Sequence, residues 1–373
     1  MLKSILVLSW LSAALAFAQE RGTVTVKRDT WGVPHIFAAT LADGAYGLGY
    51  AQAEDRLDQL FENYRGAIGR LAEVKGAGSV EQDFRQRMVG HEAVCRRRYA
   101  ELPADVRELC EAFQDGVRAY LAEHPERRPA SALPLEPWMV PALHRLLIFN
   151  WPLGTATREL GRRNEFHLFS NEWAVRPERT ADGAAFLLID PHVHLEGPFR
   201  FYEFRMHAGG HDISGFSAVG SPVLGVGHNA FLGWACTTGG PDTTDVYIEQ
   251  TDPAHPLRYR YEGGWHEMTR ETVSIAVQGA APVVRPLDRS HHGPILLRED
   301  DPDWCGKGDC RHLGASIDAP GGPIEIQNFY IPAGGDIPDR ELNPKFDHKL
   351  DFFEKLTAEM ARRDPKAPLA IVG

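Results

Sequence analysis

Little in this chain points to a membrane, a nucleic acid or a disulfide framework. Five cysteines among 373 residues are too few for a scaffold stapled by disulfides. Acidic residues outnumber basic ones by 51 to 40, and the arginines are interspersed with acids. That balance argues against nucleic acid or an anionic membrane surface as a partner. Beyond the first 20 residues no apolar run approaches the roughly 20 residues that a spanning helix needs. No low-complexity tract is present, and a 43% hydrophobic composition supplies a large core, divided over one large domain or two ordinary ones.

Common catalytic signatures are missing too. Gly215-Phe216-Ser217-Ala218 runs into Val219 where a nucleophile elbow needs glycine. His91-Glu92 leads to Cys95, and His266-Glu267 to Arg270, where a zinc-protease helix needs a second histidine. There is no phosphate-binding or dinucleotide-binding glycine loop.

What is there begins with an export signal. Lys3, an apolar run and the triplet Ala16-Phe17-Ala18 predict a secretory peptide, residues 1–18, cleaved after Ala18. The mature chain is therefore expected to be secreted or periplasmic and not membrane-spanning. Cys305 and Cys310 enclose a four-residue loop short enough for a disulfide to close. Zinc is the rival reading of that pair, but no second pair stands at ligand spacing. One cysteine of five stays unpaired in a monomer, and Cys236 is the candidate.

Periodicity divides the chain at about residue 170. Upstream, 23–28 alternates as a strand. Leu57, Leu60, Phe61 and Tyr64 then form one helical face, and Val106, Leu109, Cys110, Phe113, Val117, Tyr120 and Leu121 another, bracketed by Pro103 and Pro125. A third apolar helix is expected near 140–151. Downstream, strands are expected at 173–175, 186–189, 200–207, 222–226, 231–236, 244–249, 258–261, 271–277 and 282–286, separated by Gly, Pro or Asn. A helix follows through Phe352, Leu356 and Met360. A helix-rich region 19–169 before a sheet-rich region 170–373 is an α+β pattern, not a βαβ alternation.

The seam itself reads Phe169-Ser170-Asn171-Glu172-Trp173-Ala174-Val175. A serine with no elbow becomes a nucleophile if the bond before it is cut, because its freed α-amine then serves as the base. Such an amine titrates at about 7.7–8.0, so much of it is neutral near physiological pH.

The chain resembles the penicillin acylase family of N-terminal nucleophile hydrolases over most of residues 24–296. The blocks that carry the resemblance are RDTWGVPHIFA, YGLGYAQAEDRLDQL and GRLAEVKG upstream of Ser170, then SNEWAV, LLIDPH, GHNAFLGWACTT and HHGPIL downstream, in the family's order. The resemblance implies an αββα sandwich with a helical α-chain part packed against it. It implies a precursor that cleaves itself at Phe169–Ser170 into an α/β heterodimer and hydrolyses the amide of a small N-acyl compound. Penicillins, cephalosporin side chains, acyl-homoserine lactones and lipopeptides are substrates of the family.

Carried over by position, Ser170 is the nucleophile and His192 stands where many members place a histidine near the serine, with a structural turn histidine as the alternative. The Thr238 backbone N–H supplies half of an oxyanion hole, and Asn328 is the candidate for the other half, against an ordinary loop asparagine. Glu159, Asp242, Asp245 and the Thr244 carbonyl match a structural calcium site in some members, against solvated turn carboxylates. His228 and Asn229 are expected to hold a turn.

Two departures bear on function. Only ten residues separate Glu159 from Ser170, a length that implies either one cut at Phe169–Ser170 or a geometry too strained for cleavage. Residues 297–373 match the family poorly, so the alternative expectation is an inactive or truncated acylase-fold protein serving as a binding or envelope protein.

Overall fold

The computed structural model describes residues 22–160, 169–237, 243–298, 312–319, 322–329, 339–362 and 369–372. The expected signal peptide and the Cys305–Cys310 loop lie outside the described residues. Cys95 and Cys110 are free and buried, and Cys236 is free and exposed.

Two short strands open the fold, β1 (Thr25–Arg28) and β2 (Pro34–Ala38). The helices α1 (Leu41–Ala67), α2 (Ala72–Lys75), α3 (Val80–Val89), α4 (His91–Arg98), α5 (Ala104–Glu123) and α6 (Met139–Glu159) follow. Thr40 caps α1: its hydroxyl accepts from Asp43 N at 3.0 Å, satisfying an N–H that has no partner within the helix. Arg56 carries a non-helical backbone (φ −139°, ψ 30°) and kinks α1. The expected stripe of α5 is buried at Cys110, Phe113, Val117 and Tyr120.

The β-rich part comprises β3 (Phe169–Val175), β4 (Phe186–His192), β5 (Phe201–Ala208), β6 (His211–Ala218), β7 (Val226–Asn229) and β8 (Gly233–Trp234). Then come β9 (Thr251–Asp252), β10 (His255–Tyr261), β11 (Gly264–Glu267), β12 (Thr269–Val277) and β13 (Ala280–Arg289). The last described elements are β14 (His312–Ala319), β15 (Gly322–Phe329), α7 (Pro344–Arg362) and β16 (Leu369–Val372). The fold class is α+β, as the sequence pattern indicates. Among the described residues no helix is long and apolar enough to cross a membrane.

The largest sheet runs β1-β2-β5-β6-β7-β8. Its β2–β5 pairing is parallel, His35 opposite Arg205, so strands from both sides of the seam share one sheet. Alternate residues of β5 (Tyr202, Phe204, Met206 and Ala208) are buried and join one core with α1, α5 and α6. The period of two places that face on the helices and leaves Glu203 and Arg205 exposed.

Polar side chains of α1 fasten the turn that follows β6. Gln52, fully buried, donates to Ser217 Oγ (3.1 Å) and to the Ser221 carbonyl (3.3 Å) and accepts from Gly220 N (2.8 Å). Asn63 donates to Val219 O, and the Tyr64 hydroxyl to Gly220 O. Each otherwise unpaired group buried here costs about 1–3 kcal/mol, which accounts for a glutamine in the middle of an apolar helix. A smaller core seats the β12–β13 hairpin on α2 and α3 through Ala72, Val80, Ile275 and Val277. There the Gln278 N–H donates to Ala72 O at 2.9 Å.

Three strand expectations are corrected, the first being 231–236, of which only Gly233–Trp234 is strand. Residues 244–249 form no strand; the Val246 N–H instead donates to a helix side chain, described below. Residues 222–225 form the loop into β7, which starts only at Val226.

Candidate active site

Ser170 lies on β3, which pairs antiparallel with β4 in a two-stranded sheet. In that ladder Ser170 stands opposite Pro191, Asn171 opposite Asp190, and Phe169 opposite His192. His192 therefore sits directly across from the residue on the acyl side of the Phe169–Ser170 bond. Because side chains alternate along a strand, His192, Asp190 and Asn171 share one face of the ladder, and the Ser170 side chain belongs to the other.

The bonds on the first face agree with that register. His192 Nε2 is 2.9 Å from Asp190 Oδ2 and 3.2 Å from Asn171 Nδ2. One ring nitrogen cannot donate to the carboxylate and accept from the amide at once, so the tautomer selects between the two partners. The structure thus sets His192 opposite Phe169 along the backbone, with its Nε2 in reach of either Asp190 or Asn171.

The segment after β8 reaches the same place. Thr237 Oγ1 donates to the Ser170 carbonyl at 2.7 Å, which sets the residue immediately before Thr238 on β3. Thr238 and Asp242 themselves lie outside the described residues. Asn328 belongs to β15, the middle strand of a separate three-stranded sheet, in register with Leu313 on β14 and Val372 on β16. His228 and Asn229 do form the expected turn, the Asn229 side chain accepting from Phe231 N and Leu232 N.

The expected calcium residues are drawn from both sides of the seam. Glu159, at the C-terminal end of α6, accepts from Val246 N through Oε2 at 2.9 Å. Thr244 Oγ1 donates to the Pro152 carbonyl of α6 at 3.1 Å. Asp245, between them in sequence, is exposed.

The same segment walls a cleft of about 980 Å³. Pro152, Leu153 and Ala156 of α6 form one side, and the 289–298 turn forms another. Ser170 and His192 are not among its lining residues, so this cleft and the candidate nucleophile occupy different places.

Charge is concentrated at Asp288, whose partner Arg298 lines the cleft. Its buried carboxylate accepts from Arg270 Nε (2.5 Å) and Nη2 (2.8 Å) and from Arg298 Nη2 (2.5 Å). Hydrogen bonding to Arg270, reinforced by Arg298, holds its pKa below the ordinary aspartate range despite burial. A carboxyl whose folded pKa is depressed contributes stability above its unfolded value, near about 3.9, and that contribution is lost as pH falls through the folded value. Asp288→Asn is expected to lower Tm at neutral pH, with the gap from the unsubstituted chain closing between about pH 5 and pH 2. Thermal melts across that range test this. A gap that stays constant would mean that the carboxylate's charge contributes nothing.

Ser170 thus stands next to the head of β3 in an α+β fold, with the segment after β8 bonded to its carbonyl. The family model described as Penicillin amidase matches residues 23–320, about four fifths of the chain, and the chain belongs to the penicillin amidase family.

It is 28% identical over 350 residues to the penicillin acylase 2 proenzyme of a Pseudomonas species, covering 77% of this chain and 45% of that protein. It is 30% identical over 350 residues to the acyl-homoserine lactone acylase PvdQ of Pseudomonas fluorescens, covering 80% of this chain and 44% of that one. The chain thus spans a little under half the length of these curated relatives. Among solved structures, a thermostable penicillin G acylase from Alcaligenes faecalis is 28% identical, covering 39% of this chain and 77% of that chain with a TM-score of 0.30. An overlap that loose carries no geometric argument.

Proposed function

We propose that this chain is an exported acylase that hydrolyses the amide bond of a small N-acyl compound through an acyl-Ser170 intermediate. Family membership supports the reaction class, and the relatives' substrates make β-lactams and acyl-homoserine lactones the compounds to try.

The observation that carries the assignment to Ser170 is the convergence on β3: His192 across from Phe169, and Thr237 bonded to the Ser170 carbonyl. In the uncut chain the nitrogen of residue 170 is an amide and no base. Cleavage begins when the Ser170 hydroxyl attacks the Phe169 carbonyl carbon. The C–N bond breaks, the α-amine is released, and water hydrolyses the resulting ester to a Phe169 carboxylate. Residue 170 then holds both nucleophile and base.

In the acylase reaction the Ser170 oxygen attacks the substrate carbonyl, with the Thr238 N–H and Asn328 stabilising the oxyanion. The amine of the substrate leaves with a proton, and water releases the acid. His192, held by Asp190 and Asn171, is the residue proposed to orient the new terminus.

Calcium is the ion we propose for Glu159 and the 242–245 segment, of which Asp242 lies outside the described residues. Glu159, Asp242, Asp245 and the Thr244 carbonyl are hard oxygen ligands, and the Glu159–Val246 and Thr244–Pro152 bonds already join the two sides of the seam. An ion there would keep the two chains together after cleavage.

N-terminal sequencing and intact mass of the purified protein test this reading. Two chains, one beginning at Ser170, together with hydrolysis of an N-acyl amide, are the expected result. A single uncut chain with no amidase activity would overturn it.

A further inference from the structure

We propose that Glu249, His291 and His292 form a binding site for a divalent transition-metal ion of the zinc type, separate from both the Ser170 site and the oxygen ligands near Glu159. Each of the three offers one ligand atom, and those atoms all lie within 4.8 Å of one another. His292 Nδ1 and Glu249 Oε1 are 3.0 Å apart. Zinc binds imidazole nitrogen and carboxylate oxygen at about 2.0–2.2 Å, so two ligands on a tetrahedral ion stand about 3.3 Å from each other. The His292–Glu249 spacing is close to that edge, and the ligand atom of His291 lies within 4.8 Å of both. Two imidazoles and one carboxylate are the ligand types that favour zinc over calcium.

The surroundings are those of a built site. Tyr259 is buried, and its hydroxyl lies 3.0 Å from His291 Nδ1 and accepts from the His291 backbone N–H at 3.2 Å. An outer partner of this kind fixes the orientation of a ligating ring. The Tyr247 ring stacks on His292 at 3.8 Å and 6°, and the two histidine rings are 3.7 Å apart. Glu249 and His292 line the 980 Å³ cleft, so a three-ligand ion would present an open coordination position to that space. The ligands come from the segment before β9 and from the turn after β13, which the ion would tie together.

The test uses the tag-free full-length protein, stripped with a chelator and titrated calorimetrically with Zn²⁺, with Co²⁺ absorption as a spectroscopic check. One tight Zn²⁺ that excess Ca²⁺ does not displace is expected, with a Co²⁺ spectrum showing nitrogen ligation. His292→Ala and Glu249→Gln should each weaken binding at least about 10-fold, and Tyr259→Phe by about 10-fold through loss of the outer partner. Near-UV circular dichroism checks that each variant is folded. If the histidine variant does not fold, Glu249→Gln and Tyr259→Phe still decide the matter. No binding by the unsubstituted protein would leave only a His292–Glu249 hydrogen bond and overturn the proposal. So would displacement by Ca²⁺, or equal affinity in Glu249→Gln and the unsubstituted protein.

Discussion

Ser170→Ala is expected to yield one uncut chain with no measurable amidase activity, a loss on the order of 10⁶-fold, the scale on which removing a catalytic serine is felt. The substitution removes the attacking oxygen in both steps, so neither cleavage before residue 170 nor acyl transfer has a nucleophile. Ser170→Cys separates the two roles: a thiol at the same position retains the means to cleave, and a processed but slow enzyme would place residue 170 in both reactions. Both variants keep the backbone bonds that join Ser170 to β4 and to Thr237. A cleaved, active Ser170→Ala protein, read by mass spectrometry and hydrolysis, would sink the assignment.

The candidate serine, Ser170, could be picked out because it stands in an ordered series of short blocks, while the residues around it could not. Thr237, Asp190 and the Asn171–His192 contact are set by the β3–β4 register and by the path of the chain after β8, neither of which leaves a periodic trace. His192 was read as a neighbour of Ser170, and its position opposite Phe169 with its ring on the Asn171 face follows only once the register is known. The α5 stripe was plain from spacing. Only the second half of α1 was, because Gly44, Gly47 and Gly49 weaken a helical pattern whose glycines are there for packing. The apolar run Val246-Tyr247-Ile248 reads like a strand, but the Val246 N–H goes to Glu159 and not to a neighbouring strand. The histidine pair before Gly293 was visible as a motif; what made it a metal candidate was Glu249, 42 residues earlier in the sequence, which only the fold brings beside it.

Gly49→Val is expected to prevent accumulation of folded protein, and Gly49→Ala to destabilise it by about 3 kcal/mol or more. At Gly49 a Cβ would stand 1.9 Å from the Phe113 carbonyl oxygen, and at Gly116 a Cβ would stand 2.0 Å from the Tyr46 carbonyl oxygen. The two glycines are the reciprocal halves of one crossing, where the backbones of α1 and α5 touch. Alanine improves intrinsic helix propensity by about 1 kcal/mol, but the obstacle is main chain, which no rotamer change can move aside. Relief therefore requires the helices to separate, opening the core they share with Phe61, Tyr64 and Phe113. Separation would also withdraw Gln52 from the Gly220 turn, since Gln52 follows Gly49 by less than one turn of helix. Gly78→Ala is the control: nothing lies within 4 Å of its added Cβ, and its Tm should stay near that of the unsubstituted protein. Melting Gly49→Ala beside that control decides the point. Equal Tm values would mean that the helices do not cross in contact at Gly49, and the YGLGYAQ block would then need another reason for its glycines.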